Sequence, residues 1–510
     1  MAEKSELKLG IILNYVNMGL GSLVPLLYTP IMLSLLGQEE YGLYQLSSTA
    51  TSYLNLISLG LGAAVTRYLI KAKAEGGQEA EEKMLGLFLL VFQCIAALVF
   101  VLGIALVFNL DIWYSDSLTD AELKKMQVLV FIMVCNMAIS FSVSPYMSIV
   151  TAREKFLFYQ AMNILLTVGT PVINLIALLM GYASIGLAVS SIAITVVVRV
   201  IYYIYIKRNL RIHAKYKGLP LYCLKEILIF SFWIFVGNIV GQLYSATDIM
   251  MIGAVPALAT VGVAVYNIGN VFNSMVLSIT TGISNLLTPR TNKMVFSGVT
   301  NETLTEYSIL VGRLQCYLIS VLVAGFIIFG KPLIHFYIGD AYLDAYWVAL
   351  FVMVPNIIPL SQSVCLSILI AKNQHKFRSL MYLAIAIANV IGTWLVLQDW
   401  GIKGAAFMSG LGLIIGNGLV MNWYYWKKMG LDIGKFWKEM CKVLAVPLLI
   451  CVLGIVAGNY IDFYNIIPLL TGILVFTVLT GAGQYIFSFN NYEKNLILTP
   501  IKRITHKIKN

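Results

Sequence analysis

The sequence predicts an all-α polytopic membrane protein of about fourteen transmembrane helices, built as two pseudo-symmetric six-helix lobes plus a C-terminal helix pair. Three observations predict it. Apolar runs of about 21–30 residues succeed one another from Ile11 to Phe489, and about 20 residues suffice for a helix to cross the hydrocarbon core. Lys and Arg gather in every second connection: with both termini on one side, 29 of the 35 lie in the loops, tails and helix ends of that side. The chain also echoes itself at an offset of about 220 residues, the mark of an internal duplication.

The first run, Ile11–Leu36, follows a short charged tail. It is too long for a signal-peptide core and no small-residue cleavage site follows, so it is expected to be retained. Tyr41–Ile70 and Met84–Leu110 flank a charged loop that carries Lys71, Lys73 and Lys83, and Met126–Val150 and Phe156–Met180 close around Arg153 and Lys155. Ser184–Ile206 ends on Lys207–Lys225, the longest connection on the basic side. Glu226–Ile252 and Thr260–Thr288 then lead to Arg290. Tyr307–Gly330, Tyr346–Ala371, Phe377–Leu397 and Ile402–Trp426 complete a second set of six, and Phe436–Ala457 and Ile466–Phe489 form the added pair. The opposite connections carry only Lys124, Lys125, Lys331 and Lys403, so the positive-inside rule puts both termini in the cytoplasm.

An apolar fraction of 59% with 12% charged residues excludes an ordinary soluble domain. The net charge of +11 sits in short loops beside Tyr202, Tyr203, Trp423 and Trp426, which is the pattern of an interfacial belt against anionic lipid. Nucleic acid is not an expected partner. Five of the seven cysteines fall inside apolar runs, none in a Cys-x-x-Cys pair, and they read as small buried hydrophobes.

The echo aligns Leu36-Gly37 and Tyr41-Gly42-Leu43-Tyr44-Gln45 with Ile252-Gly253 and Val263-Ala264-Val265-Tyr266-Asn267. Thr66-Arg67 faces Pro289-Arg290, and Tyr182-Ala183-Ser184-Ile185-Gly186 faces Trp400-Gly401-Ile402-Lys403-Gly404. The domains expected are therefore 1–213, 214–430 and an appended 431–510. Six helices per lobe is an even number, so the lobes share one orientation about an axis along the membrane normal.

Leu-Gly followed by Tyr41-Gly42-Leu43-Tyr44, then Leu59-Gly60-Leu61-Gly62 and Thr66-Arg67-Tyr68, the stretch Asp248-Ile249-Met250-Met251-Ile252-Gly253 and the turn Gly404-Ala405-Ala406 resemble the bacterial polysaccharide-repeat-unit flippases. These belong to the multidrug/oligosaccharidyl-lipid/polysaccharide exporter superfamily. The resemblance covers the whole chain through diffuse motifs. It implies a V-shaped transporter of the bacterial plasma membrane that flips an undecaprenyl-pyrophosphate-linked oligosaccharide outward by alternating access. It implies no cofactor and no enzymatic activity. The membrane lipid, a polysaccharide polymerase and glycosyltransferases are the further partners it suggests.

Such a transporter needs polar helix faces for the headgroup. Asn14 and Asn17 share one face of the first run, and Gln45, Ser48, Ser52 and Arg67 one face of the second. Asn238, Gln242, Ser245 and Asp248 form a broader face of the seventh, and Asn267, Asn270, Ser274, Ser278, Thr281 and Asn285 a stripe of the eighth. In the superfamily the corresponding helices line the cavity. Ser, Thr and Asn also join packed membrane helices, and that alternative stands beside the first. Arg67 suits a bidentate grip on phosphate, against snorkelling, while Arg313, inside the ninth run, suits either the cavity or an ion pair. Asp248 is the one carboxylate well inside a run, a candidate for coupling to Na⁺ or H⁺ with Asn389 and Thr393, or for a structural pair. Pro25, Pro30, Pro355 and Pro359 are expected to bend their helices.

The leading expectation is a flippase for a lipid-linked repeat unit in cell-surface polysaccharide synthesis. Lipid II or another lipid-linked precursor is the alternative cargo. A cation-coupled multidrug antiporter is disfavoured by Arg67 and by the lack of carboxylates in the first, second and eighth runs. A membrane polymerase or glycosyltransferase would want a catalytic loop, and Asp111–Lys125 reads instead as a solvated acidic connection.

Overall fold

The computed structural model describes residues 2–58, 61–372, 374–491 and 493–494, and among these it contains helices and no strand. Among the described residues the apolar runs fall mainly on helical backbone, but the helices do not match them one to one. Ten helices are long and apolar enough to span a membrane, or eleven if a bent pair is one span, among the described residues. Glycine explains much of the difference. The third helix, Leu61–Phe108, carries parts of two runs joined at Gly76 and Gly77, where Gly77 takes φ 65°. His375–Leu413 likewise joins two runs through Gly401 at φ 56°. A Cβ is disfavoured at such angles, so the chain turns there without leaving a loop.

The main helices are α1 Ala2–Leu36, α2 Gln38–Ser52, α3 Leu61–Phe108, α4 Asp120–Ala152, α5 Phe156–Leu179, α6 Ala183–Tyr205 and α7 Leu224–Gly253. They continue with α8 Ala259–Phe296, α9 Asn301–Ile338, α10 Ala345–Ser361, α11 Ser363–Ala371, α12 His375–Leu413, α13 Ile433–Ala457 and α14 Ile466–Gly483. Pro355 and Pro359 lie in α10, and α11 departs from it by 51° just beyond. Pro25 and Pro30 lie within α1.

Contact divides the chain into two compact units, Met1–Asn267 and Ile268–Asn510. In the first, α3 lies along α4, α4 along α6, α1 along α5, and α2 packs on both α4 and α7. In the second, α9 packs on α10, α13 and α14, and α10 on α12. Lipid offers little hydrophobic drive between membrane helices, so close backbone approach and hydrogen bonds carry the packing. Gly42 shows this: a Cβ there would meet the Thr260 carbonyl oxygen at 1.8 Å. The glycine of the Tyr-Gly-Leu-Tyr motif is therefore a contact between helix backbones.

At one end of the first unit, Glu40 binds Lys125 at 2.7 Å and accepts from the Ser184 amide at 3.1 Å and from its hydroxyl. The carboxylate sits at the start of α6, where the helix dipole favours an anion. Burial pushes the Glu40 carboxyl up, but Lys125 and Ser184 together hold it below the ordinary carboxylate range. A lowered carboxyl stabilises the fold above its unfolded pKa, and that contribution is lost as pH falls through the native value. Glu40→Gln is expected to cost about 1.5 kcal/mol at neutral pH. The difference should shrink as pH falls through the lowered native value, as measured by thermal unfolding of the purified protein in detergent.

Candidate functional site

The candidate residues of α2 recur at helical spacing, and their partners come from α7 and the start of α8. Tyr41 donates to Asn267 Oδ1 at 2.8 Å, and Asn267 Nδ2 reaches Gln45 Oε1 at 3.5 Å. Further along, Gln242 donates to the Ser52 hydroxyl, and Tyr53 and Thr247 share a hydrogen bond of 2.7 Å. Tyr41 to Tyr53 is about 18 Å of helix rise, so the contacts form a polar seam on that scale. Gln45 and Asn267 occupy equivalent places in the sequence echo, yet they touch each other.

Asp248 stands beside the seam, 2% exposed, and accepts from the Tyr266 hydroxyl at 2.6 Å. Tyr41, Tyr53, Thr247 and Tyr266 were not candidates from sequence. The spacing of Tyr41 four residues before Gln45 was a usable signal, whereas nothing local marked Tyr53.

Other candidates are used between helices. Asn14 accepts from Gln160 at 2.9 Å and Asn17 from Thr167 at 3.1 Å, which joins α1 to α5. Asn238 is exposed one turn before Gln242. Asn389 donates to Ser409 at 3.1 Å and accepts from Thr393 at 3.4 Å, so these two form a buried clasp within α12 across its bend. The side chains of Ser245 and Asn285 lie outside those described.

The stripe of α8 divides by exposure. Asn267 and Asn270 are half-buried, whereas Ser274, Ser278 and Thr281 are exposed. Val276 and Thr280, on the other side, are buried. The Ser278 and Thr281 hydroxyls fold back onto the carbonyls of Ser274 and Leu277, each at 2.8 Å. Arg67 is also exposed, near the start of α3, and the neighbouring Thr66 hydroxyl lies 3.4 Å from that of Thr151.

Arg313 is placed elsewhere. It is 3% exposed and gives Nε and Nη2 to Glu493 at 2.7 and 2.9 Å. Nη1 binds Glu439 at 2.9 Å, and Nη2 also reaches the Tyr317 hydroxyl and the Ser488 carbonyl. Of its two sequence readings, the geometry provides the ion pair, with all three guanidinium nitrogens engaged by the protein itself.

The family model described as polysaccharide biosynthesis protein matches residues 7–295, more than half of the chain. No curated protein matches the sequence. Among solved structures, the fold is similar to a lipid II flippase, MurJ, in an inward closed conformation: TM-score 0.68, 15% identity, 93% of this chain and 98% of that one covered. It is similar to a point mutant of the Vibrio cholerae MATE transporter VcmN at TM-score 0.57 and 16% identity, covering 85% and 99%. A multidrug resistance MATE family transporter in an inward-facing conformation gives 0.61 at 13% identity, covering 83% and 95%. The chain belongs to the polysaccharide biosynthesis protein family and is a multi-pass membrane protein with the fold of the exporter superfamily that holds these transporters.

Proposed function

We propose that this protein translocates a polyprenyl-pyrophosphate-linked oligosaccharide repeat unit from the cytoplasmic to the outer leaflet of the bacterial plasma membrane, with both termini cytoplasmic. The observation that supports this most directly is the exposed hydroxyl stripe Ser274, Ser278 and Thr281, which continues the face of Asn267 and Asn270 along one membrane helix whose opposite side, at Val276 and Thr280, is buried. Polar groups left towards lipid are costly, so such a stripe suits a wet route. Neutral amides and hydroxyls match sugar hydroxyls without drawing in cations. Gln45, Gln242 and Asn267 would exchange their mutual bonds for bonds to the sugar, with Asn238 and Asn270 beside them. Arg67 would meet the pyrophosphate through its planar fork.

The cargo is anionic, so an interior-negative potential assists its outward passage by about 2.3 kcal/mol per charge per 100 mV. Asp248 is the group on which Na⁺ or H⁺ coupling would rest, with Asn389 and Thr393 as further candidates. Polymerase and glycosyltransferases of a surface-polysaccharide pathway would be the neighbours of this step.

The test uses the purified full chain in proteoliposomes with a lipid-linked oligosaccharide labelled on its sugar, under imposed Na⁺, pH and voltage gradients. Headgroup translocation well above protein-free vesicles is expected, with lipid II and an organic cation as competing cargoes. Movement of the organic cation alone would overturn the reading. If Asp248 couples transport, Asp248→Asn should abolish the response to Na⁺ or pH and keep the response to voltage. Identical responses of both proteins to every gradient would exclude coupling through Asp248.

A further inference from the structure

The second unit contains a two-part cavity that the transport reading does not use. It lies where α9, α13 and α14 meet near the connection 458–465. One part, about 520 Å³, is walled by apolar side chains including Phe329, Leu453, Ile467, Val475 and Leu479. The other, about 670 Å³, is lined by Lys331, Asn459, Tyr460 and Asp462. Ile328, Gly454, Ile461 and Phe463 line both, so the two parts adjoin. Glycines shape the slot: a Cβ on Gly454 would meet Ile328 at 2.4 Å, and one on Gly472 would meet Phe463 at 2.8 Å.

Dimensions and charge select the occupant. Ile467 to Leu479 is about 18 Å of helix, close to one leaflet of a hydrocarbon core about 30 Å thick. The polar part begins where the helices end. There Lys331 lies 5.4 and 5.5 Å from the rings of Tyr346 and Trp347, a cation and aromatics at one level as at a membrane interface. Asp462 accepts from the Tyr464 amide at 3.0 Å and from Asn465 at 2.8 Å, which fixes its carboxylate in the chamber wall.

We propose that this cavity holds one zwitterionic glycerophospholipid of the adjoining leaflet. An acyl chain occupies the apolar slot, the phosphate meets Lys331, and the headgroup ammonium meets Asp462. A slot one leaflet long takes an acyl chain and not a much longer polyprenyl tail, so the site is separate from the transported lipid.

The experiment is native mass spectrometry of the purified, delipidated full chain titrated with phosphatidylethanolamine, phosphatidylglycerol or polyprenyl phosphate. Phosphatidylethanolamine is expected to be retained at one per chain. Lys331→Gln and Val475→Trp should each weaken it about tenfold. Both side chains are exposed, so the fold should persist in each variant. Lys331→Arg should retain binding, and Asp462→Asn should reduce phosphatidylethanolamine to the level of phosphatidylglycerol. Unchanged retention in Lys331→Gln and Val475→Trp, or preference for polyprenyl phosphate, would overturn the proposal.

Discussion

Replacing Arg67 by alanine is expected to slow translocation of the lipid-linked oligosaccharide by about 10- to 100-fold, with insertion and thermal stability unchanged. Hydrogen bonds to charged groups contribute about 1.5–3 kcal/mol, which sets that range. Arg67 is exposed near the start of α3, on a face that carries Thr66, so its removal leaves no cavity in a core. Arg67→Lys should recover part of the rate, because lysine keeps the charge and loses the planar fork. Snorkelling to the interface would predict something different: both variants would transport normally, since an exposed anchor at a helix end is replaceable. The measurement is the initial rate of headgroup translocation in proteoliposomes of matched protein content. A wild-type rate in the alanine variant would remove Arg67 from the substrate path.

The largest stability effect is expected at Glu493. Its carboxylate is 2% exposed and pairs side-on with Arg313, and Tyr317 adds a hydrogen bond at 3.1 Å. Glu493→Ala would strand a buried guanidinium with Glu439 as its remaining carboxylate partner. Breaking a buried pair from one side costs about 3–5 kcal/mol. Arg313→Met alone should cost a similar amount, because it leaves the Glu493 carboxylate buried. The double variant Arg313→Met, Glu493→Ala should cost much less than the sum, since no uncompensated charge remains. Thermal unfolding of the four proteins in one detergent measures the coupling. Additive losses would show that the two side chains act independently.

These two arginines show how far the sequence reached. Both were legible as unusual, because each lies within an apolar run and a buried charge demands a partner. Periodicity alone also put Gln45, Gln242 and Asn267 on polar faces of their helices. What periodicity cannot supply is the partner. Glu493 is 180 residues from Arg313, in a tail that read as cytoplasmic charge, and Tyr53 lies 194 residues from Thr247. The span count was blurred for a related reason: Gly76, Gly77 and Gly401 turn the chain inside continuous helix, which a count of apolar runs registers as separate elements.

The sequence by itself determined the helical, membrane-embedded class and which residues of each helix are polar, because both follow from local spacing and from transfer free energy. Only the tertiary structure decided which polar residues are consumed between helices and which stay open. Asn14 and Asn17 read from sequence like Ser274 and Ser278, but the first pair is bonded to α5, whereas Ser274 and Ser278 are exposed and the Ser278 hydroxyl returns to its own helix backbone. The reason is physical: a polar group in a membrane must find a hydrogen-bond partner, and whether that partner is another helix, its own backbone or water depends on what non-local packing brings alongside.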